Sequence, residues 1–226
     1  MDLTKKNKTE TFLSYALIVF FIIGLEIPIL IIEKYIYNIS KLSQMSINQN
    51  IIHWIITCFI WGISSLFLIK NSRKKGFSSF SNKRPTKKNI LISIAVIISS
   101  ISVMYFQWDF KLKPIAEYEG FIKKYNSQAP ILFLFQYIYY LFESVLITLL
   151  IAFGQKSGEV FFKKDNIPWG GILCGLTWGL AHIGSKDILT GLILCLFSSV
   201  FYGVVYLCMN KDIRYSYPLI AVMFIL

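Results

Sequence analysis

Apolar residues in this chain come in long unbroken runs, not in the alternating or one-faced patterns of soluble strands and helices. A helix needs roughly 20 apolar residues to cross about 30 Å of hydrocarbon. Six segments meet or approach that length, 12–32, 51–69, 90–107, 130–153, 169–185 and 188–208. A seventh, 217–226, has only ten residues and suits a half-span, a re-entrant helix or a helix packed on the bundle. The pattern predicts an all-α polytopic membrane bundle: six full spans plus a short C-terminal helix, in a single transmembrane domain over 1–226, without internal repeats.

The polar stretches between the runs set an orientation. The loop 70–88 carries Lys70, Arg73, Lys74, Lys75, Lys83, Arg84, Lys87 and Lys88 with no acid, which assigns it to the cytoplasm. Alternate threading then places the N-terminus, 154–166 and 209–216 on the same side, sixteen basic residues against seven opposite (Lys34, Lys41, Lys111, Lys113, Lys123, Lys124, Lys186). The expected setting is the cell membrane, multi-pass, with the N-terminus cytoplasmic. The first run follows a short basic leader, but at about 21 residues it exceeds the ~7–15-residue core of a signal peptide and lacks a small-residue cleavage site. It reads as a retained span. The outer loop 108–129 mixes Asp109, Lys111, Glu117, Glu119, Lys123 and Lys124 with aromatic residues, and predicts a short amphipathic surface segment.

Composition agrees with this class: 226 residues, 55% apolar and only 15% charged. The net charge of +11 does not point to nucleic acid, because the basic residues lie in loops, where anionic lipid headgroups are their partners, and no basic helix or aromatic-basic platform is present. Cys58, Cys174, Cys195 and Cys208 lie in or beside apolar segments without a CxxC pair, so neither a disulfide framework nor a zinc knuckle is expected.

Two residues are expensive where they stand. Glu143 and His182 each interrupt an apolar segment, and a carboxylate near the middle of a bilayer costs several kcal/mol unless it is paired, neutralised or wetted. Gln136, seven residues before Glu143, shares its helical face, and the polar stripe continues through Gln155 and Glu159. In the next segment Gly171, Gly175 and Gly179 recur every four residues, the pattern that lets two membrane helices approach closely, while Trp178 and His182 share a neighbouring face. A carboxylate and an imidazole on adjacent helices are the minimum parts for activating water: Glu143 as general base, His182 to orient the water or stabilise a developing oxyanion. Trp178, Gln136 and Glu159 are the expected substrate contacts. A rise of ~1.5 Å per residue leaves Glu143 and His182 roughly 10 Å apart in height. The same two residues also suit a mutually satisfied pair that only fixes helix register. One His and one Glu fall short of a catalytic zinc site, so neither metal nor cofactor is expected. Glu26, with Pro28 late in the first span, reads as a structural residue snorkelling to the interface, and His53 beside Trp54 as a headgroup anchor.

The run Phe142-Glu143-Ser144-Val145-Leu146, then Trp178-Gly179-Leu180-Ala181-His182, then a helix with Gly191, Tyr202, Gly203 and Tyr206, resembles the CPBP family of CAAX-protease and bacteriocin-processing (Abi) intramembrane proteins over about 130–226. Glu143 matches one glutamate of the family's EExxxR motif and His182 the histidine of FxxxH, with Trp178 in place of Phe. The sequence departs from the rest. If Glu143 is the first glutamate, Ser144 and Thr148 replace the second Glu and the Arg; if it is the second, Phe142 and Ile147 stand in those places. Met223 stands where the last-helix His would fall. The resemblance implies a glutamate-type intramembrane endopeptidase acting on membrane-associated peptides or prenyl-like protein C-termini. The alternative is a non-catalytic relative that acts as an immunity or scaffold protein. A small transporter using Glu143 as a proton site is the third reading.

Overall fold

The computed structural model describes residues 3–78, 80–81, 83–185 and 187–226, and among them all regular structure is helical. Helices α1 (Leu3–Gly24) and α2 (Glu26–Ile36) form one rod with a break at Leu25. Pro28 accounts for the break: its ring collides with the carbonyl four residues back, at Gly24, and it has no N–H to give. Helix α3 (Ile47–Lys74) starts at Ser46, whose hydroxyl accepts the Gln49 N–H at 3.3 Å while the Gln49 side chain accepts the Ser46 N–H at 2.8 Å. Helix α4 (Lys87–Gln107) starts on Thr86, and the short α5 (Lys113–Tyr125) leads into α6 (Ala129–Phe162). Two helix pairs follow, each joined by a π-helical turn: α7 (Trp169–Cys174) and α8 (Leu180–Ser185) through Gly175–Gly179, α9 (Ile188–Phe197) and α10 (Gly203–Cys208) through Ser198–Tyr202. Helix α11 (Ile213–Ile225) closes the chain.

Five stretches are long and apolar enough to cross a membrane: Asn7–Ile36, Ile47–Lys74, Lys87–Gln107, Lys113–Phe162 and Ile188–Cys208. The expected fifth span, 169–185, is not among them: its helical run, Trp169–Ser185, falls short of the roughly 20 residues that a crossing needs. The amphipathic segment expected within 108–129 is α5, and the C-terminal helix begins at Ile213, four residues earlier than the apolar run suggests. Lys186, counted with the outer basic residues, lies outside the described residues.

Helix α6 is the axis of the bundle. Leu146, Ile147, Leu149, Leu150, Ile151, Ala152 and Phe153 are all buried, so this part of the helix is covered on every side, by α1, α3, α7 and α11. The outer helices present the reverse picture, with Phe21, Phe59 and Leu66 each more than 60% exposed. An apolar coat of this kind belongs against lipid.

The glycines of the fifth segment are a contact seam. A methyl on Gly171 would lie 2.6 Å from the Gly203 Cα and from the Ser199 carbonyl, and one on Gly179 would lie 2.7 Å from the Cys195 backbone. Backbone meets backbone along α7–α8 and α9–α10, as the four-residue spacing predicts. Gly171→Ala is therefore expected to destabilise the folded protein in detergent by about 1–3 kcal/mol, the usual cost of overpacking. Gly184→Ala, where a methyl meets nothing within 4 Å, should leave unfolding unchanged or slightly harder.

At the other end, Asp212 ties the α3–α4 loop to the start of α11. Its carboxylate accepts from the Ser81 N–H at 2.8 Å, the Arg214 guanidinium at 2.6 Å and the Arg214 N–H at 2.9 Å, and Arg214 in turn donates to the Ser81 carbonyl at 3.1 Å. Burial pushes the Asp212 carboxyl up, but these hydrogen bonds and the guanidinium charge outweigh it and hold it below the ordinary aspartate value. A depressed folded-state value means that the charged form contributes stability above the unfolded value of ~3.9, and that this is lost as pH falls below it. Asp212→Asn should flatten that acid limb of the unfolding profile and lower stability at neutral pH.

Candidate functional site

The central helix carries Glu143 near the middle of its length, with its side chain turned toward α7–α8. The carboxylate is 8% exposed, and its Oε1 accepts a hydrogen bond from the Trp178 indole Nε1–H at 3.0 Å. Trp178 stands one turn, ~6 Å, before His182, nearer the level of Glu143, and so spans much of the height difference implied by the sequence. The π turn Gly175–Gly179 holds this arrangement: Gly175 and Gly179 press against α9, while Trp178 between them packs toward α6.

His182 is linked to the same tryptophan. Its Nδ1 lies 2.8 Å from the Trp178 carbonyl oxygen, and the rings meet edge-on with centroids 4.6 Å apart. A carbonyl only accepts, so Nδ1 carries the proton, and in the neutral ring Nε2 bears the lone pair.

Glu143, Trp178 and His182 line one cavity of about 540 Å³. Its walls come from several elements. Helix α6 adds Gln136, Tyr139 and Tyr140; α5 adds Lys113 and Glu117; α2 adds Glu26 and α11 adds Met223 and Phe224. Gln136 donates to the Tyr140 hydroxyl at 2.6 Å, and Glu117 accepts from both Tyr140 and Tyr137, at 2.8 and 2.9 Å. The Lys113 ammonium lies 4.2 Å from the Tyr140 ring centroid and donates to the Phe224 carbonyl at 3.1 Å. Four of the five residues singled out in the sequence thus meet in one place. The fifth, Glu159, does not: it lies sixteen positions beyond Glu143 on α6 and pairs with Lys211 at 2.5 Å, beside Gln155, in a separate pocket of about 240 Å³.

One residue sits differently from its sequence reading: His53 is turned into the bundle, with the half-buried Glu26 against it. His53 is 5% exposed and lies between two carboxylates, 2.7 Å from Glu33 and 3.4 Å from Glu26, and Glu26 also accepts from the Tyr139 hydroxyl at 2.8 Å. The acidic face of α2, with Glu26 and Glu33 seven residues apart, turns inward onto α3. Sequence reading also passed over Lys113 and Glu117. Their four-residue spacing on an amphipathic helix is the signal that could have marked one face as occupied.

Among the described residues no three His, Cys, Asp or Glu side chains are grouped to hold a metal ion. Comparison with protein-family models, with curated proteins and with solved structures gives no match.

Replacing Trp178 by Phe removes the indole donor from Glu143 and keeps most of the packing. The expected cost is about 1–3 kcal/mol in detergent unfolding, against a much smaller loss if Trp178→Phe is made together with Glu143→Leu, which leaves no carboxylate to satisfy.

Proposed function

We propose that this protein is a divergent CPBP-like intramembrane peptide hydrolase, with six crossings, a cytoplasmic N-terminus and a substrate that is a membrane-associated peptide or a prenyl-like protein C-terminus. The observation that carries the reading is that Glu143 and His182, each costly to place in an apolar segment, line one cavity and are joined through Trp178. Trp178 steadies one carboxylate oxygen. Glu143 then takes a proton from a cavity water as that water attacks the scissile carbonyl. His182 offers Nε2 as an acceptor, which selects orientation of the water over oxyanion stabilisation as its role. A donor for the oxyanion is at hand in the Lys113 ammonium, which lines the same space.

A second reading keeps the cavity and drops the chemistry. Ser144, Thr148 and Met223 occupy positions where the family resemblance places polar or charged catalytic partners, and Met223 is buried in the cavity wall. That favours a protein that holds a peptide without cutting it.

The two readings separate in one experiment. The purified protein in proteoliposomes is incubated with a library of membrane-anchored peptides, and products and retained peptides are identified by mass spectrometry. The hydrolase reading expects cleavage that falls by about 10²–10⁴-fold in Glu143→Gln and in His182→Ala, with Glu143→Gln still retaining the peptide. Peptide retained intact by the native protein would instead establish the binding reading.

A further inference from the structure

Apart from Glu143 and His182, the bundle buries a second set of ionisable side chains. Helix α2 carries Glu26 and Glu33 two turns apart on one face, and α3 brings His53 between them. The ring meets Glu33 Oε2 through Nδ1 at 2.7 Å and Glu26 Oε1 through Nε2 at 3.4 Å, the latter at the long end of hydrogen-bond reach. Two carboxylates on opposite nitrogens of one ring cannot converge on a single metal ion. They call instead for a proton on each nitrogen. Glu26 turns its other oxygen to the Tyr139 hydroxyl at 2.8 Å, and both Glu26 and Tyr139 line the cavity that holds Glu143. Glu33, His53, Glu26 and Tyr139 therefore stand in series, each within reach of the next, with the open end at the candidate site. The other charged groups of that cavity are Glu143 on α6 and Lys113 and Glu117 on α5.

We propose that Glu26 is the cavity's second acid–base group, with Tyr139 as its contact with substrate and the protonated His53, held by Glu33, as the source of the proton it passes on. Its catalytic role rests on the hydrolase reading; the doubly protonated ring does not. In peptide hydrolysis, Glu143 takes a proton from water as the water oxygen bonds to the carbonyl carbon. When the C–N bond breaks, the leaving nitrogen takes the phenolic proton of Tyr139, His53 gives its Nε2 proton to Glu26, and Glu26, turning its carboxyl, passes a proton to the Tyr139 oxygen. Glu143 then returns its proton through cavity water to Glu26, which restores the Nε2 proton of His53. One water is consumed, and both carboxyl groups end as they began.

The chain contains two histidines, so ¹⁵N-histidine labelling gives a spectrum of two rings. At pH about 7.5 a histidine with the ordinary value near 6.5 is about nine-tenths neutral. His53 is expected to carry protons on both nitrogens at that pH, and His182 on Nδ1 alone. Glu26→Gln and Glu33→Gln should each move the His53 signals toward the neutral ring while leaving those of His182 in place. A neutral His53 in the native protein overturns the relay. In the cleavage assay, Glu26→Gln and Tyr139→Phe should lower kcat by about 10²-fold with KM unchanged. Native kcat in Glu26→Gln overturns the catalytic role. If the native protein cleaves nothing, the hydrolase reading and with it the catalytic role fall, and the relay is decided by the nitrogen spectra alone.

Discussion

Glu143 stands on the helix that the other helices surround, where neither lipid nor apolar side chains can solvate a carboxylate. It must be hydrogen-bonded from within the bundle, and that requirement shapes its surroundings. The indole of Trp178 reaches it only because α7–α8 lies close to α6, and Trp178 in turn presents its carbonyl to His182. The glycine seam on the opposite side of the same segment lets α9–α10 approach to backbone contact, so the wall carrying Trp178 is backed by packed main chain. A rigid wall is what a fixed carboxylate orientation needs.

The two π turns belong to this arrangement. Regular α-helical geometry repeats every 3.6 residues, which cannot hold three glycines against one neighbour and also keep Trp178 and His182 turned to another over the whole segment. A widened turn shifts the register once, at Gly175–Gly179, and its counterpart at Ser198–Tyr202 lies against it. Tyr202, from that second turn, also lines the cavity. Both irregularities therefore sit where helix packing and the polar cavity have to be reconciled.

The apolar runs made the helical bundle legible, because each span must satisfy its own backbone in lipid and so announces itself by length. The glycine spacing likewise carried the α7–α8 contact, since a small-residue stripe has meaning on one helix alone. Glu143, Trp178, His182 and Gln136 were visible as polar exceptions in apolar surroundings. What stayed hidden depended on pairs far apart in the chain. His53 is 20 positions from Glu33 and 27 from Glu26, and nothing local distinguishes a histidine that anchors at a headgroup from one turned inward between two acids. The face that α2 turns to α3 decides this. Glu159 misled for the opposite reason: sharing a face of one long helix with Glu143 does not place two residues in one site when about 24 Å of rise separates them.

The two buried clusters differ in how they carry charge. Glu143 accepts from a neutral donor, the Trp178 indole, and the Nδ1 proton of His182 is committed to a carbonyl, so a proton arriving there has a carboxylate to settle on. Around His53 the balance is reversed, with two carboxylates sharing one ring, and Glu33 Oε1 buried without a hydrogen-bond partner. With an acceptor facing each ring nitrogen, the two acids are both satisfied only when both nitrogens carry protons. One cavity is thus bounded by a group suited to take up a proton and by a chain suited to supply one. Tyr139 lies between them, beside Glu143 on α6 and hydrogen-bonded to Glu26 on α2.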